Sequence, residues 1–491
     1  MREKEYIKRQ YAAILSSTGM ILVLSAGVML SPLLMLLAYP QEAGDVWAFL
    51  LPAVCLGLSG LILWKLFRRH GVTLSIHEGG VIVFISWSVV IIFSALPFMF
   101  LMNMEFSRAV FESMSGWTTT GLSVVDLTKA SRLILSWRSI MQLAGGAGLA
   151  IIMMSAIVGP TGVGISNAEG RGDQLVPHVR ESARLVMMIY LGYASIGVIA
   201  YRLAGMSLFD AMNHSFPAVS TGGFSTQVEN IGHWDFFAVE AVSMPLMLLG
   251  NLSFITAWYL WRGKLRSVTR NGEVRLMAII IPLSVLIVFI FTCNGIYPHL
   301  TKSMRVAVFE TVSCLTTTGF QTVSYSNWNG TGIFVLIILM LIGGGTCSTA
   351  GGIKQFRVYF MWRLFVWEIK RLLLPRAAVV EFPIWEGDRR SFLDDAKVRQ
   401  VCVFLFMYVT TYILGSLVLC ICGYPIKDSL FEFASAIGTV GTSVGVTSAG
   451  MPDLGLWAEI CGMFLGRLEF MVVFISLIKI GKDSRVLIAG G

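Results

Sequence analysis

Four short segments rich in Thr, Ser and Gly lie between long apolar runs of this 491-residue chain. They read TTTG (118–121), STGG (220–223), TTTG (316–319) and TVGT (439–442). Glycine permits the positive φ angles that aim successive main-chain carbonyl groups toward one line. A ring of such carbonyl oxygens can replace the hydration shell of a monovalent cation. These residues therefore indicate cation coordination by main-chain oxygen.

A single segment of this kind has a simpler explanation, because Gly, Ser and Thr also let two membrane helices pack closely. Four copies at similar spacing, each between apolar runs, favour an ion pathway over local packing.

An internal repeat precedes these segments. FESMSGWTTTG (111–121), FETVSCLTTTG (309–319) and FEFASAIGTVG (431–441) reach their glycine ten residues after the Phe, and FDAMNHSFPAVSTG (209–222) takes thirteen. Helices of about 10–13 residues are roughly 15–20 Å long, half the hydrocarbon thickness, so each is predicted to enter and leave the membrane on one side. The second is predicted to be one turn longer. The repeats carry four acidic residues, which we place at the helix starts as partners of the positive dipole end rather than as ion ligands: Glu112, Asp210, Glu310 and Glu432.

The composition places these segments in a membrane protein. Hydrophobic residues make up 55% of the chain and charged residues only 13%, about half the charged share of a soluble domain. Apolar runs long enough to span a bilayer are predicted near 11–39, 45–64, 79–102, 133–159, 185–206, 236–261, 274–294, 331–350, 400–423 and 455–479.

The distribution of positive charge predicts the orientation. With the N-terminus in the cytoplasm, 28 of the 37 Lys and Arg residues fall in predicted cytoplasmic segments, which is the bias described by the positive-inside rule for membrane proteins. Arg467 lies within a predicted span, and the other eight lie on the outer side: Arg108, Lys129, Arg132, Arg138, Arg202, Lys302, Arg305 and Lys427. The net charge of +8 is thus explained by topology without nucleic acid.

The sequence predicts an all-α polytopic protein rather than an enzyme. Four units of helix, re-entrant half-helix, filter loop and helix follow an N-terminal pair of helices. The predicted divisions are 1–74 for that pair and 75–184, 185–273, 274–397 and 398–491 for the units. We find no zinc-ligand spacing, no paired carboxylates or Ser/His arrangement within the spans, and no phosphate-binding glycine motif.

The polar loops resemble the filter loops of the Trk/Ktr/HKT superfamily of cation transporters, and the likeness to bacterial Trk-type potassium-uptake subunits covers essentially the whole chain. It implies signature positions at Gly121, Gly222, Gly319 and Gly441, where glycine accompanies potassium preference. Thr442 departs from the proline common in Trk proteins. The residues whose backbone carbonyls are expected to bind potassium are Thr119, Thr120, Gly121, Ser220, Thr221, Gly222, Thr317, Thr318, Gly319, Thr439, Val440 and Gly441.

A glycine-rich stretch, LIGGGTCSTAGGIK (341–354), interrupts the apolar segment after the third loop. Such a sequence makes a poor helix interior and indicates either a kink or a movable intramembrane loop. The resemblance implies a gating loop, which we assign to Gly343, Gly344, Gly345, Thr346, Ser348, Gly351 and Gly352. A charge within a span marks function or a partner, and Arg467 matches the family arginine that faces this loop. An ion pair is the alternative, although Glu469 is predicted on another face.

The resemblance also implies a homodimer and a cytoplasmic ring of regulatory subunits. No cofactor is expected on this chain beyond potassium, and a nucleotide (ATP/ADP or NAD) is expected only on the regulatory partner. The basic segment WRLFVWEIKRLLLPR (362–376) fits either such docking or anionic lipid. The favoured function is a gated potassium pore, and a sodium- or proton-coupled symporter of the Ktr type is the alternative.

Overall fold

The structure is a computed structural model, and it describes residues 2–67, 75–148, 179–375, 383–386, 389–392 and 395–488. The regular secondary structure of this part of the chain is helical except for one antiparallel β-hairpin, formed by Pro383–Glu386 and Arg389–Phe392. The predicted all-α membrane class is confirmed. The sequence did not predict the hairpin, which lies in the basic segment before the fourth unit.

Two N-terminal helices, Arg2–Leu30 and Val46–Leu66, pack against each other along small residues. A Cβ on Gly19 would lie 2.5 Å from the Gly60 carbonyl oxygen, so the two backbones are in direct contact. Short 3₁₀ helices, Ser31–Leu37 and Pro40–Asp45, connect them.

Four units follow, each with an entering helix, a short helix that we call the pore helix, a polar loop and a returning helix. The entering helices are Ile76–Met102, Val179–Leu203, Gly272–Val288 (extended by Phe289–Cys293 and Asn294–Ile296) and Asp395–Ile421. The pore helices are Phe106–Trp117, Leu208–Ser220, Leu300–Leu315 and Ile426–Ile437. The returning helices are Arg132–Ala147, Phe237–Asn251 with Phe254–Trp261, Gly330–Ile342, and Asp453–Leu468 with Phe470–Ile488. Connecting helices are Asn230–His233, Leu265–Arg270 and Gln355–Leu373.

Three predicted unit boundaries fall inside entering helices. The boundaries 184/185, 273/274 and 397/398 lie within helices that begin at Val179, Gly272 and Asp395. The apolar runs used for the prediction start later than the helices, because the first turns carry charged residues. The boundary 74/75 adjoins residue 74, which lies outside the described residues.

The predicted spans divide into whole helices and interrupted ones. Six described helices are long and apolar enough to cross a membrane, and there are eight if each of two bent pairs counts as one span. These account for eight of the ten predictions. The run 331–350 is helical only over Gly330–Ile342, and 133–159 only over Arg132–Ala147, beyond which residues 149–178 lie outside the described part.

The returning helices break where they meet the pore helices. Phe237–Asn251 and Phe254–Trp261 meet at a bend of 117°, and Asp453–Leu468 and Phe470–Ile488 at 101°. A glycine beside each break contacts a carbonyl oxygen near the C-terminal end of its own pore helix. A Cβ on Gly250 would lie 2.4 Å from Val219 O, and a Cβ on Gly466 would lie 2.0 Å from Ile437 O. Gly145 has the same contact in the first unit, at 2.0 Å from Trp117 O. These glycines bring the pore helices into the centre of the bundle.

Candidate ion-binding site

The register of the second pore helix differs from the prediction. Leu208–Ser220 and Phe106–Trp117 differ by one residue in length, and the third helix, Leu300–Leu315, is the long one. The Phe209-Asp210 pair therefore does not correspond to the Phe-Glu pairs of the other units, which lie a turn further along their helices. The prediction of an extra turn in the second helix was wrong, because the Phe-Asp pair resembles the Phe-Glu pairs in type but lies a turn before the equivalent residues, Asn213 and His214.

Three of the four acidic residues lie inside the pore helices rather than at their starts. Glu112, Glu310 and Glu432 are fully buried, and only Asp210 is in a first turn. Each glutamate accepts a main-chain N–H from the segment that follows its own polar loop. The donors are Val124 N (3.1 Å), Thr322 N (2.8 Å) and Val444 N (3.1 Å) respectively. These carboxylates therefore hold the hairpin closed around the loop, a role that the helix-dipole interpretation missed.

His214 takes the place of the glutamate in the second unit. Its ring is fully buried, and Nε2 lies 2.9 Å from Ser225 Oγ in the segment after the loop. Ser123 Oγ donates to Glu112 in the same way in the first unit. The second hairpin is thus closed by an imidazole–hydroxyl contact where the others use a carboxylate.

The polar loops share one backbone conformation. The first of three consecutive residues is a threonine at positive φ, at Thr119, Thr221, Thr317 and Thr439, with φ between 50° and 55°. The third is a glycine at positive φ, at Gly121, Gly223, Gly319 and Gly441. The N–H of the middle residue donates to a carbonyl five positions earlier, from Thr120 to Ser115, Gly222 to Pro217, Thr318 to Ser313 and Val440 to Ser435. The four loops are therefore conformational equivalents.

This equivalence corrects the predicted position in the second loop. Gly223, not Gly222, has the positive φ of the other three signature glycines, and Gly222 corresponds to Thr120, Thr318 and Val440. The sequence contains two adjacent glycines here, and residue type alone does not distinguish them. Only the backbone conformation does.

The loops close into a ring in which each glycine contacts the next unit. A Cβ on Gly121 would lie 2.3 Å from Gly222 O, and one on Gly223 would lie 2.3 Å from Thr318 O. The corresponding distances are 1.9 Å from Gly319 to Val440 O and 2.1 Å from Gly441 to Thr120 O. The contacts run from unit one through two, three and four back to one. The twelve residues predicted from the sequence lie in these loops, with Ser220 at the end of its helix.

The glycine-rich stretch lies against the ends of the pore helices. Gly351 N donates to Thr317 Oγ1 (2.8 Å), and a Cβ on Gly351 would lie 2.2 Å from Gly438 O. Thr349 Oγ1 lies 3.1 Å from Val219 O. The stretch thus contacts the second, third and fourth pore helices or their loops.

The stretch itself is folded tightly and contains all seven residues predicted for the gate. Gly343 (φ 69°) and Gly352 (φ 78°) lie back to back, since a Cβ on Gly343 would be 2.6 Å from Gly352 Cα. Ser348 Oγ donates to Gly345 O (2.6 Å), and Thr346 N donates to Glu273 Oε1 (2.8 Å). These contacts hold it as a compact plug of backbone.

Arg467 lies in the last turn of Asp453–Leu468, at the break rather than in the middle of a continuous helix. Its guanidinium donates to Thr349 O of the glycine-rich stretch (2.7 Å) and to Gly145 O (2.6 Å). Glu469 instead pairs with Arg357 at 2.7 Å. The structure therefore places the Arg467 cation against the glycine-rich stretch and links it to the first unit.

Two buried polar residues of this site were not predicted as such. Arg138 was counted among the outer-side charges, yet it pairs with Glu112 (2.7 Å) and is 2% exposed. Gln142, one turn further along the same helix, donates to Gly222 O. The available signal was their place in an apolar helix, LILSWRSIMQLAGGA, where a buried polar side chain needs a partner.

The fold and the site define a class of protein. Four re-entrant hairpins form a ring within a bundle of apolar helices, and a plug lies against the inner ends of the hairpins. Irregular backbone surrounded by protein in this way is typical of membrane channels and transporters that handle ions.

Comparison with known proteins gives the family. Residues 49–486 match the family model of TrkH, a cation transport protein, and the chain belongs to this family. It is 30% identical to the Trk system potassium uptake protein TrkH of Salmonella typhimurium over 488 residues, covering 95% of this chain and 98% of the relative. It is 31% identical to Trk system potassium uptake protein TrkG of Escherichia coli over 465 residues, with 91% and 93% covered. The crystal structure of the potassium transporter TrkH from Vibrio parahaemolyticus superposes with a TM-score of 0.83 at 29% identity, covering 95% of this chain and 98% of that one.

Proposed function

We propose that the chain takes up potassium through a selective transmembrane pore at the ring of four loops. The carrying observation is the closed succession of glycine–carbonyl contacts, from Gly121 through Gly223 and Gly319 to Gly441. Neighbouring backbones hold these four carbonyl oxygens in place, and the ring contacts include no carboxylate. The potassium uptake named for relatives over nearly their whole length agrees with this function.

The threonines beside the ring supply further oxygen atoms. The side-chain hydroxyls of Thr119 and Thr439 are buried, and neither has a hydrogen-bond partner among the described residues. Thr221 and Thr317 bond the glycine-rich stretch instead. We propose that potassium binds the carbonyls of the predicted filter residues and of Gly223, and that the two free hydroxyls meet the ion as it leaves the ring.

The glycine-rich stretch is proposed to act as the gate. It lies against three of the four hairpins, and Arg467 adds a positive charge that opposes a cation at this point. Opening then requires the stretch to leave its hydrogen bonds with Thr317, Gly250 and Asn251. Each such neutral bond contributes about 1 kcal/mol, and the bonds with the charged groups of Glu273 and Arg467 contribute about 1.5–3 kcal/mol each, so a regulator must supply several kcal/mol to open the gate.

The partners and location follow from the same proposal. We propose a homodimer in the bacterial inner membrane, with both termini and the Pro383–Phe392 hairpin in the cytoplasm. A ring of nucleotide-binding regulatory subunits would dock on the cytoplasmic face, and ATP/ADP or NAD would bind that partner. The helix Gln355–Leu373, which connects the gate to this face, supports the docking because Trp362 and Phe365 are more than half exposed on it.

Rubidium uptake into vesicles tests the function, with sodium and proton gradients set independently. The purified chain should admit rubidium down its own electrochemical gradient when neither other gradient is present. Potassium should compete with rubidium, and protein-free vesicles give the background. Uptake that needs a sodium or proton gradient would contradict the pore and support the coupled symporter.

A further inference from the structure

The second filter loop is held by a side chain from the first unit. Gln142, on the returning helix Arg132–Ala147, is fully buried. Its Nε2 donates to Gly222 O, and its Oε1 accepts Phe224 N–H at 3.1 Å. One amide thus bonds two main-chain groups of the loop, much as a neighbouring β-strand would.

Gly222 and Gln142 fit each other as a pair. A Cβ on Gly222 would lie 2.5 Å from the carboxamide carbon of Gln142, so no other residue type fits beside this amide. The equivalent residues of the other loops, Thr120, Thr318 and Val440, all carry a Cβ. The missing side chain therefore provides the space that the amide occupies.

The other units have methionine where the first has Gln142. Counting back three residues from the glycine at each helix break gives Met247, Met340 and Met463. A thioether accepts a hydrogen bond weakly and donates none. Met340 contacts the fourth loop through a side chain, because its Sδ accepts the Thr442 hydroxyl at 3.1 Å. Of the four equivalent residues, only Gln142 has an N–H to offer to a loop carbonyl.

We propose that Gln142 is a positioning residue that sets the cation preference of the second quarter of the ring. The Gly222 carbonyl is one of the four oxygens at the ring contacts. A carbonyl oxygen has two lone pairs, and the Gln142 amide uses one of them, which fixes the peptide plane and weakens the oxygen as a ligand. Gly222 and Gly223 are adjacent and would otherwise form the most flexible quarter of the ring.

The same helix braces this loop at a second point. Arg138 donates to Ser225 O at 2.8 Å, and its guanidinium lies 3.9 Å from the centroid of the Phe224 ring. The ring is therefore asymmetric, because its second quarter is held by polar side chains of the helix Arg132–Ala147. The proposal rests on the ring being the potassium path.

The variant Gln142→Met gives the second quarter the residue type of the other units. We expect the potassium-to-sodium permeability ratio to fall about three- to tenfold, the size expected from loss of one neutral hydrogen bond at one of four ligands. Rubidium uptake should persist. Met247→Leu, a volume-conserving change at the equivalent position of the second unit, should leave the ratio unchanged.

A double variant separates packing from selectivity. Gly222→Val alone should accumulate poorly, because its Cβ meets the Gln142 amide. Gln142→Met with Gly222→Val should accumulate normally, since Met340 and Val440 already share one buried cluster in this chain. The permeability ratio of the double variant reports on the lost amide even if Gln142→Met alone does not fold.

The outcomes are distinguishable. An unchanged ratio in Gln142→Met or in the double variant, with or without a lower melting temperature, overturns the proposal, because a merely structural residue behaves that way. Failure of the double variant to accumulate contradicts the pairing of Gly222 with Gln142. Absence of rubidium uptake by the unmodified chain would refute the proposed function instead.

Discussion

Residues whose backbone φ angles are positive, in the left-handed region of the Ramachandran plot, form the ring. Threonine occupies it in all four loops, at a cost of roughly 1–2 kcal/mol for each residue. That conformation persists because the pore-helix end and the next unit's backbone surround it. The following glycines meet neighbouring carbonyl oxygens at distances that no Cβ tolerates, so both conformation and space require glycine there.

A residue-scale prediction concerns Gly121→Ser. Gly121 has φ of 101°, and a Cβ would lie 2.3 Å from Gly222 O, so the change displaces one ring oxygen. We expect the potassium-to-sodium permeability ratio to fall at least tenfold while some flux remains, as read from reversal potentials.

Gly205→Ser is the matched control. Gly205 has φ of 103°, and no heavy atom lies within 4 Å of its would-be Cβ. The backbone strain is therefore alike, at about 1 kcal/mol of stability, without the contact. If both variants changed the ratio equally, the first loop would not line the ion path.

At the scale of elements, each re-entrant hairpin, a pore helix with its polar loop, is the unit that builds the ion-binding site. A buried side chain within each pore helix hydrogen-bonds the segment that follows the polar loop, so the loop is tied to its own pore helix. The returning helices end or bend beside these hairpins, and the third unit fills the resulting space with the glycine-rich stretch. A helix cannot do this, because its backbone groups are already bonded to one another.

The element-scale prediction is that Arg467→Ala raises rubidium flux. The change removes the hydrogen bond to Thr349 O and a positive charge beside the path. A gain of about five- to tenfold corresponds to roughly 1 kcal/mol of lost repulsion. Shortening the 343–352 stretch should act in the same direction.

Flux is measured per protein in the membrane, and Arg202→Ala serves as a control. Arg202 bonds Met206 O on its own connection, so its loss should leave flux unchanged. Lower flux in Arg467→Ala at normal accumulation would show that this arginine supports conduction rather than opposing it.

At the scale of the molecule, charge and fold imply one orientation. The basic connections and the hairpin Pro383–Phe392 should face the cytoplasm, and the segments between pore loops and returning helices should face outward. Lys264, in a basic connection, and Ser326, between the third pore loop and its returning helix, are both exposed.

Cysteine labelling tests that orientation. In a background without the eight native cysteines, a membrane-impermeant maleimide should label Ser326→Cys in intact cells. Lys264→Cys should be labelled only after the cells are permeabilised. Labelling of Lys264→Cys from outside would invert the topology and with it the direction of the proposed gate.

The sequence by itself determined the class, and it predicted a four-unit plan and the residues of the loops and the glycine-rich stretch. Composition, periodic apolar runs and recurring Thr-Gly segments are local properties, and they suffice for those conclusions. It failed where two identical residues are adjacent, as at Gly222 and Gly223, and where an acidic residue, Asp210, lies one turn before the residue that takes the glutamate's place, His214.

Only the tertiary structure decided which groups meet. The ring contacts join residues that are 95 to 321 positions apart in the sequence. Glu112, Glu310 and Glu432 bond segments beyond their loops, and Arg467 donates to carbonyl groups of two other units. The physical reason is that a main-chain carbonyl carries no sequence signature. Its availability depends on where a helix ends and which backbone lies beside it, and those are properties of the packed chain.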